Sequence, residues 1–226
     1  MAKRVLRPEN ASYRHFRRRV QVFALALAAT AALGGAAAQA RTLRLVALGD
    51  SLTAGYGLSA GEAFPAVLER ALKARGWDVA VANAGGSGET AADGLARYDW
   101  SVPAGTDALI VEFGANDMLR GLDPAAAEAA LAEILAKARA AHVATLLAGM
   151  RAIGNFGPDY QRRFDAVYPE LAKDFGVALY PFFLEGVAGD PALNQPDGLH
   201  PTRAGVEKIV ARILPAVEAL LAQAKR

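Results

Sequence analysis

The chain contains no cysteine, and this absence limits both its chemistry and its means of stabilisation. A disulfide framework, a thiol nucleophile and a thiolate metal site are all excluded. The fold must therefore be stabilised by its hydrophobic core. With 53% hydrophobic residues among 226, the chain can bury one sizeable core, which predicts a single globular domain.

Positive charge is in excess only within the first 40 residues. They hold seven of the 25 Lys and Arg side chains and one of the 23 Asp and Glu side chains, which leaves 18 positive and 22 negative groups beyond residue 40. The formal charge of +2 therefore becomes −4 without them. Beyond residue 40 the chain has no basic excess to offer a nucleic acid, so a nucleic-acid partner is not expected. We expect a small-molecule substrate and a monomer.

The same 40 residues have the pattern of a secretory signal peptide. Arginines between positions 14 and 19 precede an apolar stretch over residues 22–33, and Ala38-Gln39-Ala40 suits cleavage before Arg41. The alternative is an uncleaved anchor, but a membrane-spanning helix needs about 18 to 20 apolar residues. We therefore expect a periplasmic or secreted protein that comprises residues 41–226, with no stable membrane insertion after the signal is removed.

From residue 41 onward, short β-rich runs alternate with helical patterns. The predicted strands are residues 43–48, 79–82, 108–113, 144–148 and 177–180. Helices are predicted after Pro65, after Asp123-Pro124, over residues 159–174 with an interruption near Pro169, and after Thr202 with a kink at Pro215. Largely apolar strands joined by helices predict a three-layer α/β domain with a five-stranded parallel sheet. Right-handed crossovers then place every strand-to-helix loop at one edge, where ligands bind.

Polar and glycine-rich segments follow the predicted strands at that edge. They are Gly49-Asp50-Ser51-Leu52, Asn83 with Gly85-Gly86-Ser87-Gly88, Gly114-Ala115-Asn116-Asp117 and Asp197-Gly198-Leu199-His200. Each segment alone is as consistent with an ordinary turn or helix cap as with catalysis. Their convergence on one edge indicates a catalytic site.

Ser51 is the candidate nucleophile, and a hydroxyl needs a base to remove its proton. Beyond residue 40 the chain has two histidines, and His142 precedes the fourth strand, at the opposite edge. His200 is therefore the candidate base. Asp197, three residues earlier, is placed to hold the imidazole in the required tautomer. Ser87 is the rival nucleophile, although glycines flank it on both sides.

The oxyanion formed by such an attack needs hydrogen-bond donors. The backbone N–H groups of Ser51 and Gly88 and the side-chain amide of Asn116 are the candidates. A metal site is disfavoured, because His200, Asp197 and Asp50 are too few ligands for it.

These residues resemble the GDSL or SGNH hydrolases, a family in which four blocks contribute Ser, Gly, Asn and His. Ser51, Gly88, Asn116 and His200 match them in order. The resemblance covers residues 43–215 and is greatest to the bacterial periplasmic thioesterase, lysophospholipase and arylesterase branch. Segments that support this branch are residues 49–56, 94–97, 116–121 and 168–173. The family implies a flavodoxin-like sheet of order 2-1-3-4-5, a Ser-His-Asp triad, and neither metal nor cofactor.

The function predicted from this resemblance is hydrolysis of carboxylic esters or acyl thioesters through an acyl-enzyme, with aryl esters, short to medium acyl chains and lysophospholipids as substrates. One alternative keeps the fold and assigns deacetylation of a carbohydrate. Another is a non-catalytic phosphate- or nucleotide-binding protein, but no Gly-x-Gly-x-x-Gly opens a helix after the first strand and no Gly-x-x-x-x-Gly-Lys occurs. Ile153 and Phe156, in the open segment over residues 150–159, are candidates to line an acyl-chain groove.

Overall fold

The centre of the structure is a sheet of five parallel strands. This computed structural model describes residues 41–225, so the predicted signal peptide lies outside the described residues. Hydrogen bonds join the strands in the order β2-β1-β3-β4-β5, which confirms the predicted order. The strands are β1 (Leu43–Gly49), β2 (Val79–Gly85), β3 (Ala108–Glu112), β4 (Ala144–Ala148) and β5 (Ala178–Tyr180).

Helices cover both faces of this sheet. Within residues 41–225 they are α1 (Ser51–Ala54), α2 (Phe64–Ala74), α3 (Ala91–Ala96), α4 (Tyr98–Ser101), α5 (Ala115–Leu119), α6 (Pro124–Ala140), α7 (Gly157–Phe175) and α8 (Arg203–Ala224). α2 packs on α8, while α6 packs between α3 and α7. Every residue of the central strand β3 is buried, as cover on both faces requires. None of the helices in this part of the chain is long and apolar enough to span a bilayer.

Two of the long helices, α6 and α8, begin at side-chain caps that the sequence encodes. The Asp123 carboxylate accepts a hydrogen bond from the Ala125 N–H and is followed by Pro124, which needs no partner at the first helical position. The Thr202 hydroxyl accepts from the Gly205 N–H at the start of α8. The apolar residues of α8 recur at helical spacing and are buried over the whole length of the helix.

Three strand ends differ from the prediction by one residue, and two larger differences concern α7 and β2. α7 is a single helix that continues through Pro169, and the predicted interruption does not occur. A proline removes one helical N–H, but here Tyr168 and Leu171 on either side are buried and keep both halves packed on the core. β2 runs on to Gly85 and includes Asn83, because β1 remains paired with it as far as Gly49.

Candidate active site

The turn between β1 and α1 carries Ser51. Asp50 caps this four-residue helix, since its carboxylate accepts a 2.9 Å hydrogen bond from the Leu52 N–H. The turn also packs tightly against the end of β2: a Cβ on Gly85 would lie 2.3 Å from the backbone nitrogen of Ala54. Ser51 is 8% exposed. The position of Ser51 is therefore fixed by the close packing of the turn's backbone against β2.

Ser51, His200 and Asp197 form one hydrogen-bonded chain. His200 Nε2 lies 2.9 Å from Ser51 Oγ, and His200 Nδ1 lies 2.7 Å from Asp197 Oδ2. The backbone N–H groups of His200 and Leu199 donate to Asp197 Oδ1 at 3.0 and 2.9 Å. These backbone bonds, with the imidazole bond, lower the pKa of Asp197 to about 2. The carboxylate is therefore ionised at neutral pH and fixes the ring with Nε2 facing the hydroxyl.

The loop that carries His200 is anchored on both sides. Gln195 N–H donates to the His200 carbonyl at 2.7 Å, and the Gln195 side chain donates to the carbonyls of Tyr56 and Pro201. The Tyr56 ring lies against the imidazole, with 4.4 Å between ring centroids. Sequence reasoning missed Gln195, because nothing in its local pattern signals a contact with a residue 139 positions earlier.

The three candidate oxyanion donors lie on the segments that follow β1, β2 and β3. Gly88 has a φ of +82°, in the region that glycine adopts readily, and its carbonyl accepts a bond from Arg120. Asn116 Nδ2 donates to the Glu89 carbonyl at 2.9 Å and to Asp50 Oδ2 at 3.2 Å. Within residues 41–225, no protein acceptor engages the N–H of Ser51 or Gly88. Both groups are therefore free to bind an oxyanion.

Three carboxyl groups lie buried beneath these turns. Burial raises the pKa of Asp50 to about 7 and, together with the charge of Asp50, raises that of Glu112 well above its ordinary value. Burial also raises the pKa of Asp117, which accepts a hydrogen bond from the Ala91 N–H. Sequence reasoning missed Glu112. The sequence feature that could have revealed Glu112 is a charged residue at the end of an otherwise apolar strand.

Arg97 joins the ends of the two strands that flank the site. Its buried guanidinium donates to the carbonyls of Gly49 and Ala84 at 2.9 and 2.8 Å. It also forms an ion pair with Glu89 at 2.5 Å and a hydrogen bond with Ser101. In the sequence, Arg97 was noted only as the last residue of segment 94–97, which supports the family resemblance. The structure shows that it fixes the spacing of β1 and β2.

The remaining predicted residues take no part in the hydrogen bonds that join Ser51, His200 and Asp197. His142 lies in the turn before β4, at the opposite edge of the sheet. Ser87 is exposed, and the His200 ring bonds to Ser51 instead. Ile153 and Phe156 are 50% and 43% exposed, on the segment between β4 and α7. Among residues 41–225, no group of three or more His, Asp or Glu side chains is arranged to hold a metal ion.

Comparison with known proteins places this arrangement in a family. A model of the GDSL-like lipase/acylhydrolase family matches residues 47–208. The chain belongs to this family. This GDSL-like acylhydrolase is 40% identical over 184 residues to the esterase TesA of Pseudomonas aeruginosa, an alignment that covers 81% of the chain and 92% of the relative. It is 43% identical over 160 residues to thioesterase 1/protease 1/lysophospholipase L1 of Escherichia coli K12, with 70% and 76% covered.

A solved structure agrees with these sequence relatives. The crystal structure of AlinE4, an SGNH-hydrolase family esterase, is 46% identical and superimposes with a TM-score of 0.68 over 80% of this chain and 97% of AlinE4. The family, the fold and ester hydrolysis predicted from the sequence are thereby confirmed. The GDSL-like acylhydrolase is a serine hydrolase that acts on ester bonds.

Proposed function

We propose that Ser51, His200 and Asp197 are the catalytic triad of this ester hydrolase. The observation that carries the proposal is the unbroken chain of contacts, 2.9 Å from Ser51 Oγ to His200 Nε2 and 2.7 Å from His200 Nδ1 to Asp197. Both distances lie within the range for nucleophile activation by a general base. The low pKa of Asp197 supports the same roles, because an ionised carboxylate stabilises the imidazolium that forms during attack.

The reaction proceeds in two acyl-transfer steps. Ser51 Oγ attacks the ester carbonyl while its proton passes to His200 Nε2, and the carbonyl oxygen becomes an oxyanion bound by the Ser51 and Gly88 N–H groups. Asn116 joins them when its amide gives up the 3.2 Å hydrogen bond to Asp50 and donates to the oxyanion instead. The oxyanion collapses, the C–O or C–S bond breaks, and His200 protonates the leaving alcohol or thiol. A water molecule, deprotonated by His200, then attacks the acyl-enzyme. The acid is released and the Ser51 proton is restored.

The proposed substrates are aryl esters, short to medium acyl esters, acyl thioesters and lysophospholipids. The relatives named esterase and thioesterase/lysophospholipase support this range. The position of Phe156 also supports it. The Phe156 ring lies against Gly121, since a Cβ added to Gly121 would be only 2.8 Å from a ring carbon. The ring thus bridges the loops after β3 and β4 and offers an apolar wall for an acyl chain, with Ile153 nearby in sequence. We also propose export through the predicted signal peptide, which places the enzyme in the periplasm or outside the cell.

The test of the triad is covalent labelling with a fluorophosphonate, followed by peptide mapping. The adduct is expected on Ser51 in the wild type, unchanged in Ser87→Ala, and absent in His200→Ala. Labelling at Ser87 would overturn the proposal. Hydrolysis rates for aryl esters and acyl thioesters, measured beside acetylated glycans, then distinguish the proposed substrates from carbohydrate deacetylation.

A further inference from the structure

A buried carboxyl group lies beneath the nucleophile and has no part in the acyl-transfer steps. Glu112 is the last residue of β3, pairs in register with Gly49 of β1, and is fully buried. Its Oε2 accepts a 2.7 Å hydrogen bond from the Thr53 hydroxyl. Its Oε1 has no hydrogen-bond partner within residues 41–225. A carboxyl at such a position is destabilising compared with an apolar side chain. Its presence therefore suggests a role other than stabilising the fold.

Glu112 and Thr53 fill the space next to Gly49. A Cβ on Gly49 would stand 2.2 Å from Thr53 Oγ1 and 2.7 Å from Glu112 Oε2, so only glycine admits the pair. Thr53 is buried and lies two residues after Ser51 on α1. The bond between Thr53 and Glu112 therefore ties the end of β3 to the short helix that carries the nucleophile.

The groups around Glu112 favour its protonated form. Asp50 faces it from the β1–α1 turn, while Tyr168 of α7 and Asp117 of α5 lie in the same buried region. Arg97 donates to the neighbouring Gly49 carbonyl and to Glu89 but not to Glu112. Burial first, and then the charge of Asp50, raise the pKa of Glu112 well above its ordinary value, while the hydrogen bond from Thr53 acts in the opposite direction.

We propose that Glu112 is a positioning residue for the nucleophile: through its hydrogen bond with Thr53 it fixes the β1–α1 turn so that Ser51 Oγ faces His200. The inference rests on the proposed triad. A helix of four residues has little stability of its own, so the turn depends on contacts with the strands beneath it. A small displacement of a reacting group lowers the rate by up to about 100-fold. The effect belongs to catalysis rather than to substrate binding, since Glu112 is buried away from the substrate.

The test compares kcat and KM on an aryl ester, with kcat expressed per active site titrated by a fluorophosphonate. Glu112→Leu and Thr53→Val are each expected to lower kcat by about 10- to 100-fold with KM changed by less than about threefold. The matched controls Glu112→Gln and Thr53→Ser keep an oxygen for the shared bond and are expected to stay within about threefold of the wild-type kcat. The double variant Glu112→Leu/Thr53→Val should be no slower than the slower single variant, because both changes remove one bond.

The pH profile supplies a readout that loss of packing alone would not change. Ionisation of Glu112 in the wild type places a second negative charge beside Asp50, so kcat should fall as the pH rises through the raised pKa of Glu112. Glu112→Gln cannot ionise and should lack this high-pH limb. A Gln variant that keeps the wild-type limb would contradict the proposal, as would a wild-type kcat per titrated site in Glu112→Leu.

The outcomes also separate this inference from the triad. If the fluorophosphonate fails to label Ser51 in the wild type, the triad is wrong and Glu112 has nothing to position. If Ser51 is labelled and Thr53→Val keeps the kcat of Thr53→Ser, the triad stands and the role of Glu112 is refuted. This pair of threonine variants retains the buried carboxyl, so it decides the matter even if Glu112→Leu does not fold.

Discussion

At the scale of single residues, the two oxygens of Asp197 have different partners. Oδ1 accepts the backbone N–H groups of Leu199 and His200, and Oδ2 accepts from the imidazole. The loop conformation and the ring orientation are therefore set by one side chain. Because the pKa of Asp197 is lowered to about 2, its stabilising contribution is present above pH 4 and is lost only as the pH falls through about 2.

Replacing Asp197 by Asn should impair catalysis more than folding. The amide can still accept the backbone N–H groups through its oxygen, but its NH₂ group cannot accept the imidazole proton and so favours the wrong tautomer. We expect kcat to fall by about 100- to 10,000-fold, the range seen for carboxylate loss in such triads, with KM little changed. Steady-state kinetics on an aryl ester measures this. Asp159→Asn, an exposed carboxylate on α7, is the control, and a kcat for Asp197→Asn equal to that of the control would contradict the assigned role.

Truncation of Phe156 should change chain-length preference. Removing the ring from its place against Gly121 deletes apolar surface that a longer acyl chain contacts and an acetyl group does not. For Phe156→Ala we expect kcat/KM on an octanoyl ester to fall by about 10-fold relative to an acetyl ester, as loss of one apolar contact implies. Ile153→Ala should shift the ratio in the same direction. Trp100→Ala, which truncates an exposed aromatic residue on α4, is the control. If neither Phe156→Ala nor Ile153→Ala changed the octanoyl-to-acetyl ratio of kcat/KM, these residues would not line the acyl groove.

At the scale of secondary-structure elements, two glycines at and just after the end of β2 are required for different reasons. Gly85 is required by close packing, because its Cα lies against α1. Gly88 is required by conformation, since its φ is +82° while the nearest atom to a Cβ there, on Arg120, is 3.9 Å away. The two positions should therefore respond differently to the same substitution.

Gly88→Ala is expected to cost about 1 kcal/mol of stability, the strain of a left-handed backbone for a non-glycine residue, and to lower kcat as the N–H turns away from the oxyanion. Gly85→Ala should lower the melting temperature considerably further, because its methyl group overlaps the backbone of Ala54. Thermal unfolding and kcat on an aryl ester measure the two effects. A larger loss of stability in Gly88→Ala than in Gly85→Ala would contradict this division.

Comparison of sequence and structure at this scale shows which features are encoded locally. The alternation of apolar strands with capped helices at Asp123 and Thr202 is a local pattern, and it yielded the sheet order once the family resemblance was added. The break predicted at Pro169 was wrong because the burial that keeps α7 continuous comes from the rest of the core. The contact of Gln195 with Tyr56 depends on distant segments and has no local signal.

At the scale of the whole molecule, the buried carboxyls make stability depend on pH. The pKa of Asp50 is about 7 in the folded state and near 3.8 in an unfolded chain. Between these two pH values the Asp50 carboxyl is protonated in the folded protein and ionised in the unfolded chain. Stability from Asp50 is therefore fully present below about pH 4 and is lost as the pH rises through 7. Glu112 acts in the same direction, because its pKa is also raised in the folded state.

Asp50→Asn should remove this dependence while its side-chain oxygen still caps α1. Over the window from pH 4 to 7, we expect the wild type to lose on the order of 4 kcal/mol more than the variant, the equivalent of three pKa units. Chemical denaturation at pH 4.5, 6 and 7.5 measures the difference. Glu133→Gln, an exposed carboxyl on α6, is the control and should follow the wild type. Parallel stability curves for Asp50→Asn and the wild type would show that Asp50 ionises normally.

The course of the chain also determines how the enzyme can be attached to a surface. β1 starts at the edge of the sheet opposite Ser51, and its seven residues span about 23 Å. α8 runs back to that same edge, where Ala224 joins Thr106 and His142 around a cleft of about 630 Å³. A linker joined before Leu43 or after Ala224 would therefore leave the ester-cleaving edge facing away from a bead or a fusion partner. Immobilisation through either end should preserve access for large lipid substrates.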